Sequence, residues 1–279
     1  MSTATPALSR RSAGIGAANR RDVEQLNRSF GRPFTVSEAA EVLGVDPVGA
    51  RRQLGYLSRR GWLTRVRRGL YLPVPLEAPR SGEWIEDPWI VTATAFDPCY
   101  IGGWSACEHW GLTEQIFRDV VVVTAREVRR RYQVLQGMPY LVTTRSPEML
   151  FGTRRVWRRS VPVAVSDPSR TVVDILDDPA LGGGIRHVAA VVQEYLRSDD
   201  CDADLLVEYG DRLGNRSIFK RLGWLLEVFG IDGPLLEACR ERRSTGLTKL
   251  DPSVSDQGRV VRRWNLRVNV DLETGEDSW

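Results

Sequence analysis

Arginines are concentrated in one short stretch of the N-terminal region, where no acidic residue accompanies them. Seven arginines and no Asp or Glu lie between Pro47 and Leu72. The planar guanidinium of arginine can donate two parallel hydrogen bonds to a phosphate group or to the edge of a base. The pattern therefore favours contact with a polyanion. The candidate contact residues are Val48, Arg51, Arg52, Tyr56, Arg59, Arg60, Arg65, Arg67 and Arg68.

The charge of the whole chain is distributed unevenly. The formal net charge is +3, but residues 1–80 carry 14 arginines and 6 acidic residues, a net of +8. The remainder carries a net of −5. A basic N-terminal segment on an acidic body indicates that the first part of the chain meets the polyanion.

The residues before and within the arginine-rich stretch predict two helices joined by a tight turn. Thr35 and Glu38 have the spacing of a capping box, which begins a short helix that ends at about Leu43. Asp46 and Pro47 begin a second helix that ends at about residue 60. The second helix has two different faces. Its core side holds Ala50, Leu54 and Leu57, and its outward side holds Val48, Arg52, Tyr56 and Arg59, flanked by Arg51 and Arg60.

A hairpin with a basic turn follows the second helix. Residues 62–66 predict one strand and residues 70–72 its partner, with Arg67, Arg68 and Gly69 as the turn. Together these elements predict a winged helix-turn-helix domain over residues 18–74, in which an exposed basic helix can enter a major groove. RNA binding, protein contacts, or a merely solvated surface remain alternatives for the same residues.

The rest of the chain predicts a larger second domain. We expect a flexible leader at 1–17, a Pro-rich linker at 75–88, a domain at 89–271 and an acidic tail at 272–279. The fold class is α+β: the winged helix-turn-helix is followed by a mixed α/β domain with a small sheet and a helical cluster. Strands are predicted at 120–124, 140–144, 155–157, 161–165 and 264–270, and helices at 89–95, 103–111, 185–196, 204–213, 218–229 and 234–242, with a further helix beginning at Asp167.

No pattern of catalytic or metal-binding residues is apparent. The four cysteines and two histidines have neither metal-ligand nor redox spacing. A Gly-rich turn at Gly102 and Gly103 followed by Asp119 resembles the start of a nucleotidyltransferase. The position that should hold the second carboxylate is Val121, so two metal ions could not be held. Ser105 and His109 lie one helical turn apart, without an orienting acid. We expect no enzymatic activity and no cofactor.

A second group of basic residues surrounds Trp157. Its members are Arg154, Arg155, Arg158 and Arg159. Arginines beside an aromatic ring can stack on bases or bind phosphates. They are also common on exposed strands and turns, so both interpretations stay open.

The sequence resembles the AbiEi family, the antitoxins of type IV abortive-infection toxin–antitoxin systems, over nearly the whole chain after the leader. The N-terminal motifs are residues 34–40 (FTVSEAA) and 61–71 (GWLTRVRRGLY). The more specific motifs are residues 103–106 with 111–115 (GWSA and GLTEQ), 167–174 (DPSRTVVD) and 212–226, which contains RLGN and LGWLL.

The resemblance implies two activities. The N-terminal domain would repress its own operon by binding inverted repeats at the promoter, through positions that correspond here to Arg51, Arg52, Arg67 and Arg68. The C-terminal domain would counteract a nucleotidyltransferase-like toxin, by direct contact or by reversing its effect.

No stretch of the sequence approaches the about 20 apolar residues of a membrane span, and the N-terminus lacks the apolar core of a signal peptide. We therefore expect a cytoplasmic protein with no membrane partner.

Two other functions remain open at this stage. The chain could be a stand-alone transcriptional regulator whose body senses a ligand. It could also be a cryptic enzyme that acts on nucleic acid or nucleotides, although the missing carboxylate pair argues against this.

Overall fold

The structure, a computed structural model, describes residues 16–75 and 84–272. Most of the predicted leader, the middle of the predicted linker and the acidic tail after residue 272 lie outside the described residues. The described chain divides into two compact units. The first holds the residues up to Asp97 together with Gln133–Pro139 and Val156–Val163, and the second holds the rest. The predicted domain boundaries at 18–74, 75–88 and 89–271 stay a prediction.

The N-terminal part of the first unit combines three helices with a three-stranded antiparallel sheet of order β1-β3-β2. Its elements in chain order are α1 (Ala17–Ser29), β1 (Phe34–Thr35), α2 (Val36–Leu43), α3 (Pro47–Arg59), β2 (Leu63–Arg67) and β3 (Leu70–Pro73). Apolar side chains from all three helices and from the sheet form one core, including Leu26, Phe34 and Ala39. This arrangement is the predicted winged helix-turn-helix.

Local side-chain hydrogen bonds fix where α2 and α3 begin. The hydroxyl of Thr35 accepts a hydrogen bond from the backbone N–H of Glu38, and the carboxylate of Glu38 accepts one from the backbone N–H of Thr35, which completes the predicted capping box. The carboxylate of Asp46 accepts hydrogen bonds from Val48 and Gly49, and Pro47 occupies the first turn of α3. Both predicted helix starts are confirmed.

The remaining chain contributes a mixed six-stranded sheet of order β6-β7-β5-β4-β9-β8. Its strands are β4 (Cys99–Ile101), β5 (Val120–Thr124), β6 (Tyr132–Leu135), β7 (Met138–Thr144), β8 (Thr153–Arg158) and β9 (Val161–Ser166). Strand β5 is buried along its whole length, pairs in parallel with β7 and is antiparallel to β4. A small sheet of order β10-β12-β11 is built from Thr248–Lys249, Leu266–Val268 and Arg259–Val261.

Helices supply the core of the second unit. Helix α4 (Pro88–Ala95) still belongs to the first unit. The helices of the second unit are α5 (Gly103–His109), α6 (Pro168–Asp177), α7 (Ile185–Arg197), α8 (Ala203–Leu213), α9 (Ser217–Val228) and α10 (Pro234–Arg242). Helix α6 is buried almost throughout, and the side chains of Val172, Ile175 and Leu176 have no exposed surface. The predicted α+β class, with a modest sheet and a helical cluster, is confirmed.

The predicted last strand, 264–270, is wrong at both ends. Trp264 ends a short 3-10 helix (Arg262–Trp264), and Asn265 has a φ of 48° in the left-handed region, so the extended backbone begins only at Leu266. The alternation of Trp264, Leu266 and Val268 arises because all three side chains are buried in one core, although only two of them belong to the strand.

Candidate nucleic-acid interface

Helix α3 has one face in the core and one face in solvent. Ala50, Leu54 and Leu57 are fully buried. The residues on the opposite side are exposed: Val48, Arg51, Arg52 and Arg59. The structure therefore gives α3 the amphipathic orientation that its sequence predicts, with the basic side chains pointing away from the domain.

The carboxylate of Asp46 lies close enough to the exposed arginines of α3 for the charge of Arg52 to act on it. Within residues 16–75 and 84–272, no acidic side chain forms an ion pair with Arg51, Arg52 or Arg59. Asp46 lies at the start of the helix, but its carboxylate holds the helix cap. The hydrogen bonds from the backbone N–H groups of Gly49 and Val48 lower the pKa of Asp46 below its usual value. The face thus keeps its cationic charge available for a partner.

Tyr56 is less exposed than the arginines of α3 and lies next to Arg60. Tyr56 is half-buried and packs against the N-terminal core. Arg60, at the end of α3, is exposed and places its guanidinium 5.5 Å from the centre of the Tyr56 ring. The Tyr56 ring and the Arg60 guanidinium therefore form an edge of the α3 surface, and their contact with nucleic acid stays a prediction.

The wing presents cations at its tip. Gly69 adopts a φ of 79°, which a residue with a Cβ rarely adopts, and lets β2 turn back into β3. The register shifts between Arg65 and Arg67, because Arg65 pairs with Tyr71 and Arg67 with Leu70. Arg65 and Arg68 are exposed, whereas Arg67 is half-buried. Arg65 and Arg68 are therefore the exposed arginines of the wing, and the Nε of Arg65 also donates to the carbonyl of Arg67 (3.4 Å).

Sequence reasoning did not select Gln53, which positions α3, or Gly55, which lies on its outward face. The side-chain amide of Gln53 donates hydrogen bonds to Asn19 (2.8 Å) and Asp22 (2.7 Å), which tie α3 to α1. Gly55 lies on the outward face, three residues after Arg52 and four before Arg59. The spacing of positions 48, 52, 55 and 59 places Gly55 on the outward face, but glycine has no side chain that could contact a base or a phosphate.

The second basic group divides into residues with different surroundings. Arg154 pairs with Asp200 (3.3 Å) and lies 5.3 Å from the centre of the Trp110 ring. Arg158 lies 4.2 Å from the centre of the Trp89 ring. Arg159 pairs with the buried Glu86 at 3.0 Å.

These contacts give three of the four arginines a structural role. Arg155 is exposed, and the described residues give it no ion-pair partner. Trp157 is 63% exposed. A nucleic-acid role for this group stays a prediction, and the structure leaves Arg155 and Trp157 as its available members.

The motif at 167–174 forms a buried polar network in the second unit. Arg170 has no exposed surface and donates to Asp174 (2.9 Å), to the hydroxyl of Tyr100 (2.9 Å) and to the carbonyl of Met149 (3.0 Å). Tyr100 donates to the other carboxylate oxygen of Asp174 (2.8 Å). The polar residues of this motif hold α6 in place, which accounts for their types without any catalysis.

The glycine pair at 102–103 also has a packing role. A Cβ on Gly103 would lie 2.3 Å from the carbonyl oxygen of Leu181. The indole N–H of Trp104 donates to the carbonyl of Asp119 (2.6 Å), and the hydroxyl of Ser105 accepts from the backbone N–H of Val121 (3.0 Å). These contacts hold α5 against β5. They also engage the hydroxyl of Ser105, which the sequence analysis considered as a nucleophile.

Three further observations concern features outside the basic surface. Among the described residues, no group of three His, Cys, Asp or Glu side chains is placed to hold a metal ion. A cavity of about 360 Å³ in the second unit is lined by Gly184, Arg186, Asp251 and Asn269, among others. The carboxylate of Asp251 already accepts hydrogen bonds from Ile185 and Ser253. Over the described ranges, no helix has the length and apolar character needed to cross a membrane.

Comparisons with known proteins match both parts of this description. Residues 16–74 match the family model described as "Transcriptional regulator, AbiEi antitoxin", which confirms the predicted resemblance for the N-terminal domain. A solved structure described as the crystal structure of RV2827C protein from Mycobacterium tuberculosis is similar over 92% of this chain and 93% of that chain, with a TM-score of 0.61 and 18% sequence identity. At that identity the likeness shows the fold alone. A search of curated proteins found no match.

Proposed function

We propose that this chain is a DNA-binding antitoxin that represses its own operon through residues 18–74. The observation that carries the proposal is the exposed, acid-free face of α3, in a domain that matches a transcriptional-regulator family. Exposed cations on a helix of this kind supply both phosphate contacts and base-edge contacts in a major groove. Inverted repeats at the promoter are the proposed binding site.

The candidate residues divide into two roles. Arg52 and Arg59 lie at the centre of the α3 face and are placed to donate hydrogen bonds to base edges, with Arg51 and Arg60 on the flanks. Arg65 and Arg68 lie on the wing, where contact with the phosphate backbone would position the domain. Val48, Tyr56 and the half-buried Arg67 complete the proposed surface.

The antitoxin part of the proposal rests on the family resemblance. We propose that residues 89–271 counteract a nucleotidyltransferase-type toxin, without enzymatic activity and without a cofactor, in the cytoplasm. The buried roles of Arg170 and Ser105 support a structural body, since these polar groups are engaged within the fold. Co-expression with the neighbouring gene tests this part: rescue of growth supports it, and unrelieved toxicity contradicts it.

A stand-alone regulator with a ligand-sensing body is the second candidate. The volume of the cavity beside Gly184 and Asp251 supports it, because it falls in the range of about 300–1,000 Å³ that is usual for a small-molecule site, although the lining is more polar than is usual for such sites. A DNA affinity that changes on addition of a small metabolite, together with no effect on a neighbouring toxin, would support this candidate over the antitoxin.

A promoter–reporter fusion tests autorepression directly. The wild-type protein, supplied in trans, should lower expression from the DNA upstream of its own gene, and Arg52→Ala should restore it. Arg262→Ala is the matched control, because Arg262 is also exposed but lies in the short 3-10 helix Arg262–Trp264, outside both basic groups. Equal repression by wild type and Arg52→Ala would contradict the proposed surface.

A further inference from the structure

Two residues on the outward face of α3 have no evident role inside their own domain. Val48 is 64% exposed, although its neighbours on this face are mainly arginines. Gly55 lies in the interior of α3, where glycine is less favourable than alanine. A Cβ at Gly55 would meet only the end of the Arg59 side chain, at 3.6 Å, so alanine would fit there. Neither residue is explained by the packing of the domain.

The spacing of these residues places them on one line along the helix. Positions 48, 52, 55 and 59 are separated by four, three and four residues, so Val48 and Gly55 alternate with Arg52 and Arg59. Gly49 differs from Gly55, because a Cβ at Gly49 would lie 3.1 Å from the capping carboxylate of Asp46. The cap thus explains Gly49, and Gly55 is left as the unexplained glycine of α3.

The backbone at Val48 is held in a defined position. Its backbone N–H donates to Asp46 (2.9 Å), which fixes the first turn of α3. A β-branched side chain in a helix has one strongly preferred rotamer. In the major groove, the C5-methyl of thymine is the apolar group that a base pair presents, beside the acceptor atoms that arginine can read. A stiff apolar group one helical turn before Arg51 and Arg52 matches this chemistry.

We propose that Val48 contacts the 5-methyl group of a thymine in the major groove, and that Gly55 lets the backbone of α3 approach the DNA closely enough for this contact. The inference rests on the proposed function and adds the chemistry of one base. It makes Val48 a specificity-determining residue and Gly55 a positioning residue.

Substitution of thymine by uracil tests the Val48 contact, because it removes the methyl group and nothing else. Synthetic DNA from upstream of the gene is used, with each thymine of the bound region replaced in turn, so thymine is the one source of 5-methyl groups. Loss of one methyl contact should weaken wild-type binding by about threefold to tenfold at one position in each half-site. Val48→Ala should bind the thymine DNA as weakly and be insensitive to uracil at that position. Val260→Ala, which changes a 44% exposed valine elsewhere, serves as the control.

Gly55→Ala tests the close approach. The variant should keep or raise the melting temperature of the N-terminal domain and yet bind the native fragment about tenfold more weakly, since a wrongly positioned helix loses specific contacts. Unchanged affinity of Gly55→Ala would overturn the close approach.

Equal sensitivity of wild type and Val48→Ala to every uracil would overturn the thymine contact while leaving the proposed function intact. A wild-type protein that does not prefer the native fragment over scrambled DNA would overturn the proposed function and, with it, this inference.

Discussion

The arginines of α3 and those of the second unit have the same chemistry but different surroundings. Arg51, Arg52 and Arg59 are exposed, and the described chain provides them with no ion pair. Arg170 is fully buried with Asp174, and Arg221 is 3% exposed and donates to the backbone carbonyls of Leu250 and Leu176. Arginine content alone therefore does not identify a nucleic-acid surface. What distinguishes the two regions is whether the guanidinium groups are already satisfied within the fold.

The largest effect is expected for Arg170→Ala. Removal of the guanidinium leaves the carboxylate of Asp174 buried without its ion-pair partner, so the free energy of unfolding should fall by about 3–5 kcal/mol. Urea unfolding, followed by circular dichroism, measures this change. Arg155→Ala is the control and should change stability by less than about 0.5 kcal/mol. A stability loss for Arg170→Ala as small as that of the control would contradict the structural role of this arginine.

Arg52→Ala should have the opposite profile. Stability should stay close to that of the wild type, because Arg52 is exposed. Specific DNA binding should weaken by about 1–3 kcal/mol if Arg52 meets a base edge. Fluorescence anisotropy with native and scrambled fragments separates the specific loss from a general one. An equal loss on both fragments would reassign Arg52 to a phosphate contact.

The wing variant Arg65→Ala with Arg68→Ala should weaken binding to all sequences. If both side chains contact phosphates, the slope of log affinity against log salt should become shallower by about two. Titrations at several salt concentrations measure the slope. A slope identical to that of the wild type would show that the wing does not meet the phosphate backbone.

The smallest effect is expected for Arg155→Ala on DNA binding. The second basic group can offer DNA only the guanidinium of Arg155, because Arg154, Arg158 and Arg159 are engaged by Asp200, Trp89 and Glu86, so it lacks the several free cations of the α3 face. Affinity for the native fragment should change by less than about twofold, which is the scale of a neutral surface substitution. A loss as large as that of Arg52→Ala would instead make β8 part of the DNA surface.

Features that depend on neighbouring residues were predictable from the sequence. The caps at Thr35 and Asp46, the buried face of α3 and the turn at Gly69 each depend on residues a few positions apart. The strand β5 was predicted from its apolar run and has the predicted bounds. Local hydrogen bonding and periodicity therefore specify the candidate surface.

Features that depend on distant pairing were not predictable in the same way. Strands β1 and β4 are two and three residues long, too short for a periodic pattern, and exist because of their partners. The partners of Arg154 and Arg159 lie 46 and 73 residues away in the chain. The sequence could not show that these arginines are engaged, and for that reason the second basic group could not be told from a nucleic-acid surface.

The most direct test of the central claim is a mobility shift of the purified full-length protein on DNA from upstream of its own gene. Scrambled DNA of the same length is the comparison, at about 50 and 200 mM salt. We expect preference for the native fragment and a loss of affinity of about a hundredfold or more between the two salt concentrations, as for about four neutralised phosphates. No binding at either salt concentration, or equal binding to both fragments, would contradict the account of α3 and the wing as a specific DNA-binding surface.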